Sequence, residues 1–178
     1  KVKVSPEYVV RMHYAIFPPL GADCDGDEVN YEIIQTIEGV AEAMELCNVY
    51  QNIMKDGKIW IKFIINAVIG AYILTKSTRL YSREYVMTLV MDLYTYGRTL
   101  DDKDEWTGND IVSLIFPPDF SLKRNSCVIN NGHLDLGFLD ESTLNGEDGV
   151  LSNMYRDYSD PKIIMRFLHD GYILFQRF

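Results

Sequence analysis

Apolar residues recur at every third or fourth position in several stretches of the chain, the spacing of one helix face. Between Thr36 and about Val49 they are Ile37, Val40, Ala41, Met44 and Cys47, with Glu38, Glu42 and Glu45 on the other face. This predicts an amphipathic helix, weakened somewhat by Gly39. Ser82 stands where a cap belongs, ahead of a buried stripe of Tyr85, Val86, Leu89, Val90 and Leu93, and Gly97 is a natural stop. A short helix is expected near Val150 to Tyr155, then a longer one from Asp160, with Pro161 in its first turn and Ile164, Phe167, Leu168 and Phe175 inward. The run IWIKFIINAVIGAYIL, residues 59–74, is largely apolar, but Lys62 interrupts it and it is short for a bilayer span. It predicts a buried helix reaching about Thr75, in which Gly70 and Ala71 let another backbone approach closely.

Other stretches carry β signals. KVKV (1–4) and YVVRMHYAIFPPLG (8–21) read as strands, ended by Pro18-Pro19, and VNYEII (29–34) as a short extended segment. MKDGK (54–58) is a turn on Asp56-Gly57. CVINNGHLDLGFL (127–139) is a hairpin, because Asn131-Gly132 tolerates the positive φ of a tight turn. Thr107 and Asp110 fit a capping box that opens a helix through Ile111, Leu114 and Ile115, closed by Pro117-Pro118. The acidic stretch LDDKDEW (100–106) reads as a solvated loop and the expected internal boundary. The fold class is mixed α+β, with no internal repeat.

Composition narrows the function classes. At 178 residues and 47% hydrophobic content the chain can bury a real core. A net charge of −9 argues against simple duplex binding, although a carboxylate-held metal can still act on phosphates. Cys24, Cys47 and Cys127 are scattered, giving neither a disulfide framework nor a C-x-x-C knuckle, as in a reduced intracellular protein. His133 and His169 lack cysteine or histidine neighbours at ligand spacing and read as surface or half-buried residues. No membrane association is expected.

The densest chemistry lies in GADCDGDEVN, residues 21–30. Asp23, Asp25, Asp27 and Glu28 crowd like charges together, and Gly26 frees the backbone to bend. Hard oxygen donors at this spacing suit Mg²⁺ or Ca²⁺. A solvated acidic turn is the bland alternative. An EF-hand fails: counted from Asp23, position 6 is Glu28 and position 12 is Ile34, the glycine falls at 4, and no helix is expected upstream.

This loop resembles the NADFDGDEMN signature of the largest (beta-prime-like) subunit of multisubunit DNA-directed RNA polymerases. KVKVSPEYVVRMHYAIFPPLG is similar to the family's approach to that loop. EGVAEAMELCNVYQNIM, NAVIGAYILT, WTGNDIVSLIFPPDFSL and VINNGHLDLGFLDESTLNGEDGVL resemble later family segments, in family order across essentially the whole chain. Gly21, Cys24 and Val29 depart from the usual Asn, Phe and Met, and Asn66 and Ala67 from Gln and Asp. Such divergence resembles a polymerase of a large DNA virus.

The resemblance implies a part of a double-psi β-barrel carrying the acidic loop over residues 1–56. A mainly helical pore- or funnel-like region with a β-hairpin would follow over 57–178. It implies that Asp23, Asp25 and Asp27 hold the catalytic Mg²⁺ for nucleotidyl transfer from a nucleoside triphosphate (NTP) to the RNA 3′-hydroxyl on a DNA template. Glu28 would support them, Asn30 would stabilise the turn or meet the RNA sugar, and Cys24 would be a small packing residue. Arg11 and His13 read as outward strand positions. The implied partners are the second-largest and other polymerase subunits, DNA template, RNA transcript and NTPs. The implied location is intracellular, in nucleus, cytoplasm or virion. The chain then reads as an excised fragment or one piece of a split subunit, inactive alone. The alternatives are a non-catalytic divalent-cation binder and a structural, assembly-only domain.

Overall fold

The computed structural model describes residues 4–98, 100–124 and 126–178. Its first elements are one helical turn, α1 (Phe17–Leu20), and the amphipathic helix α2 (Ile37–Leu46), capped by the Thr36 hydroxyl, which accepts the Gly39 N–H. A tight β1–β2 ladder follows (Met54–Lys55, Lys58–Ile59), then α3 (Asn66–Lys76), β3 (Tyr81–Ser82) and α4 (Arg83–Val90). After them come β4 (Glu105–Trp106), α5 (Gly108–Ser113), β5 (Leu122–Lys123), β6 (Cys127–Asn130) and β7 (His133–Gly137). The chain closes with α6 (Glu141–Asn145), α7 (Val150–Asp157) and α8 (Pro161–Arg177).

The mixed α and β character expected from the sequence holds, but the strands before α2 do not form. Residues 4–13 and 29–34 make no ladder, and the end of the first expected strand is helical instead, a 3₁₀ turn (Tyr14–Ile16) running into α1. Of KVKV, residues 1–3 lie outside the described residues. A strand persists only against a partner edge, and no other described stretch offers one here. The sheets are β1–β2, β3–β4 and β5–β6–β7, all antiparallel, and no barrel closes among the described residues.

The core is built on α3 and α8. A methyl group on Gly70 would be driven into the Phe175 carbonyl, so the two helices meet at backbone distance, with Ala67, Ala71 and Leu74 buried beside the contact. Phe167 reaches inward between Phe63, edge-on at 5.6 Å, and Phe116, stacked at 5.1 Å. Buried hydroxyls join elements. Thr75 donates to Ala71 O and accepts the Leu139 N–H at 2.9 Å, and Ser113 accepts the Leu134 N–H at 2.9 Å.

The helix expected from residue 59 begins only at Asn66. Residues 62–64 form neither helix nor strand, and distant side chains hold their backbone. Tyr172 Oη donates to Lys62 O and accepts the Ile64 N–H, both at 3.0 Å. The Asn145 amide accepts the Phe63 N–H at 3.1 Å and donates to Phe63 O at 2.8 Å. Ile65 then turns at φ 47°, an outlier for a β-branched residue, and α3 starts.

The helix capped by Ser82 ends at Val90, short of Gly97, which instead closes a 3₁₀ turn at φ 71°. Nor is 100–106 a boundary. Trp106 is buried, β4 pairs Tyr81 with Trp106, and Arg83 reaches Asp102. The hairpin forms as expected, with Asn131 and Gly132 at φ 48° and 70°, and β5 adds a third strand that the sequence did not signal. Among the described residues no helix is long and apolar enough to cross a membrane.

Candidate functional site

The acidic loop begins where α1 stops. Gly21, in the left-handed region at φ 59°, returns its N–H to the carbonyls of Phe17 and Pro18. Pro18 and Pro19 start the turn but cannot donate into a longer helix. The Asp27 carboxylate folds back and accepts the Asp23 N–H at 2.7 Å, while Asp23 Oδ1 accepts the Cys24 N–H at 2.7 Å. Gly26 lies at φ 113°, a bend that a side chain would strain. The structure thus ties Asp23 to Asp27 across the turn, and among the described residues Asp25 between them makes no hydrogen bond. All three are exposed, as are Glu28 and Asn30. Cys24 is also exposed, so the packing role expected for it does not appear.

The donor set suits a hard divalent cation, because the carboxylates keep oxygens free and no thiolate is needed. The arrangement is looser than a metal centre: no group of three or more His, Cys, Asp or Glu side chains among the described residues is placed to hold a metal ion. A surface groove of about 740 Å³ lies between this loop and the segment before it, lined by Tyr8, Arg11, Tyr14, Phe17, Asp23 and Asp27 among others. Arg11 does not reach the aspartates; it pairs with Glu7 at 2.6 Å.

His13 is exposed, as expected, but it lies on no strand. It caps the 3₁₀ turn, accepting the Ala15 N–H at 3.1 Å, and its ring stands edge-on to Tyr172 at 4.8 Å, with His169 6.3 Å away. Partial burial pushes the imidazole below its ordinary value, and the neighbouring His169 pushes in the same direction. Ala15 is buried beside it, so this corner fastens the loop-bearing segment to α8. No sequence signal marks the contact, because its partners are far along the chain.

A second polar cluster joins α5 to the hairpin. His133 Nδ1 lies 2.9 Å from Asp135, and its Nε2 lies 3.5 Å from Asp110. Asp110 also accepts from Lys103 at 2.9 Å and from Thr107 in the capping box. Partial burial alone would raise this carboxyl, but the bonds from Lys103 and Thr107 outweigh it and bring the group down to about 2. Every member is already engaged, so the cluster is a tie between elements and offers no free nucleophile.

Comparison with known proteins adds a family pattern to this geometry. Residues 53–178 match the model described as RNA polymerase Rpb1, domain 3, and residues 1–49 match RNA polymerase Rpb1, domain 2. The chain is 31% identical over 182 residues to the DNA-directed RNA polymerase subunit Rpo1N of Methanothermobacter thermautotrophicus (strain Delta H), covering 89% of this chain and 21% of that protein. It is 35% identical over 186 residues to the Rpo1N of Sulfolobus acidocaldarius, with 89% and 21% covered. To the DNA-directed RNA polymerase III subunit RPC1 of Plasmodium falciparum it is 29% identical over 140 residues, with 73% and 6% covered. The chain spans about a fifth of the length of the first two relatives.

Proposed function

Because the chain belongs to the RNA polymerase Rpb1 family, we propose that it is part of the catalytic core of a DNA-directed RNA polymerase largest subunit. In this reading it takes part in nucleotidyl transfer from an NTP to the RNA 3′-hydroxyl on a DNA template, and only within the assembled enzyme. The observation that carries the reading is the order of the two matches, domain 2 over 1–49 with the triple-aspartate loop inside it and domain 3 over 53–178. The second-largest subunit, the other subunits, template, transcript and NTPs are its proposed partners. The departures at Gly21, Cys24 and Val29 support a viral source.

Asp23, Asp25 and Asp27 are the proposed Mg²⁺ ligands. The ion, when bound, supplies the positive charge that activates the attacking hydroxyl and stabilises the phosphoryl oxygens. This chain's part is to present the carboxylates. Gly21 turns the backbone out of α1, Gly26 bends it, and the Asp27–Asp23 bond sets the span between the outer two. In the proposal, assembly supplies the barrel strands that hold this exposed loop and draw Asp25 toward its neighbours. The His13–Tyr172 corner keeps the loop attached to the helical body.

The test is RNA extension on a primed template by the chain assembled with its partner subunits. Mg²⁺-dependent extension is expected, with Asp25→Ala lowering turnover by orders of magnitude while the melting temperature of the isolated chain stays put, since the loop buries no apolar surface. A second reading, a structural or assembly domain with an unused loop, draws on the absence of a metal-holding cluster among the described residues. Wild-type extension by Asp25→Ala would favour that second reading.

A further inference from the structure

Helix α8 shows solvent a row of basic side chains. Lys162, Arg166 and His169 follow one another at four and three residues, so they share one exposed face. Along the axis they are about 6 Å and about 4.5 Å apart. Several lysines and arginines of the chain pair with a carboxylate, and others do not. Arg83, Lys103, Arg156 and Arg177 all have one. Among the described residues, no ion pair includes Lys162 or Arg166.

Arg166 is nevertheless held in place. Its guanidinium lies 4.3 Å over the Tyr94 ring. The Tyr94 backbone N–H in turn donates to Asp170 at 3.2 Å, a carboxylate only 2% exposed. A buried acid therefore fastens the loop that carries the ring, and the ring sets the arginine. Such fixing lowers the entropy lost when a ligand binds. Beside the row runs a groove of about 580 Å³, floored by Leu93 and Met165 and flanked by Tyr50 and Tyr94. Leu93 and Met165 pack against the core from below, while Tyr50 and Tyr94 remain exposed.

We propose that this groove docks an acidic amphipathic helix of another polypeptide. Its apolar side chains would enter over Leu93 and Met165, and carboxylates one turn apart along its flank would meet Lys162 and Arg166. Charge complementarity selects this occupant. A guanidinium fixed by a ring suits a carboxylate bidentately, and an apolar floor beside a cationic rim matches a helix that is apolar on one side and acidic on the flank. A nucleic acid strand fits less well. Its binding rests on the number of phosphates neutralised, and the groove brings only two lysine or arginine cations, Lys162 and Arg166.

The test is fluorescence anisotropy with a synthetic helical peptide bearing leucines at helical spacing and glutamates one turn apart on one flank. The controls are the same peptide with glutamine for glutamate and a single-stranded 12-mer oligonucleotide. The 178-residue chain should bind the acidic peptide at least about tenfold more tightly than its glutamine version, a difference of about 1.4 kcal/mol. K162A/R166A should abolish that preference. Tyr94→Leu, which leaves the charges and removes the platform under Arg166, should weaken peptide binding several-fold. Lys58→Ala, an exposed charge on β2, should change nothing. Equal binding of the two peptides, or tighter binding of the oligonucleotide, overturns the proposal. So does a chain dimer in sedimentation that K162A/R166A dissolves, since the face would then be a self-interface.

Discussion

At position 70 a single methyl group decides whether two helices can touch. Alanine there gains about 1 kcal/mol of intrinsic helix preference over glycine. Its Cβ, however, meets the backbone carbonyl of Phe175, which cannot turn aside as a side chain would. Overpacking of this kind costs about 1–3 kcal/mol, sometimes more, and sterics should win. Gly70→Ala should lower the stability of the chain by about 1–2 kcal/mol in urea unfolding; a neutral or stabilised variant would mean that α3 and α8 are not in backbone contact. The same contact shows why small residues in an apolar run carried information in the sequence: Gly70 and Ala71 marked a close approach before its partner was known. Ile65 carried none, because its positive φ is imposed from outside by the residues that hold 62–64.

Local signals fixed the elements that form as expected. Ser82, the Thr107/Asp110 box, Asn131-Gly132 and Pro161 each act within a few residues, so their chemistry can be read along the chain. The misread elements depend on partners far away in sequence. Residues 62–64 stay out of the helix while Tyr172 and Asn145 bind their backbone, and the strands before α2 lack an edge to pair with. The acidic loop falls between these cases. Its three aspartates were legible as hard oxygen donors, but whether they converge is no local property, and among the described residues no group of three is placed to hold a metal ion. The α5–hairpin tie gives an element-scale prediction. Asp110 sits at about 2 when folded against an ordinary 3.8, so its contribution is present above that ordinary value and disappears as pH falls from about 4 toward 2. Asp110→Asn should flatten this part of the curve of unfolding midpoint against pH, and an unchanged slope would remove Asp110 from the acid limb.

Taken whole, the molecule divides by exposure. From residue 53 onward side chains fill one core, whereas before it Ala15 alone is buried among the described residues, and Val9, Val10, Tyr31, Ile33 and Ile37 face solvent. Helix α2 has its Thr36 cap and its amphipathic stripe yet buries nothing. Brief digestion with a broad-specificity protease should therefore cut within 22–48 and leave a resistant product of about residues 53–178, read by mass spectrometry. Resistance across 22–48 would show that this arm folds against something in the isolated chain. Exposed apolar surface of this kind marks an interaction site, which agrees with the proposal that the chain acts within an assembled enzyme.

The Asn145 amide, which holds the Phe63 backbone by both its N–H and its carbonyl, is followed by Gly146. Asparagine before glycine is chemically perishable, because the next backbone nitrogen can attack the side-chain carbonyl and expel ammonia, and water then opens the resulting cyclic imide to aspartate or isoaspartate. Here that nitrogen donates to Ser142 O at 3.1 Å, so native α6 shields its own weak point. Once opened and converted, residue 145 would bring an anion to the Phe63 carbonyl where a donor had been, and the damaged chain would not close again as before. Intact α6 thus acts as a seal whose breaking leaves a permanent mark of age.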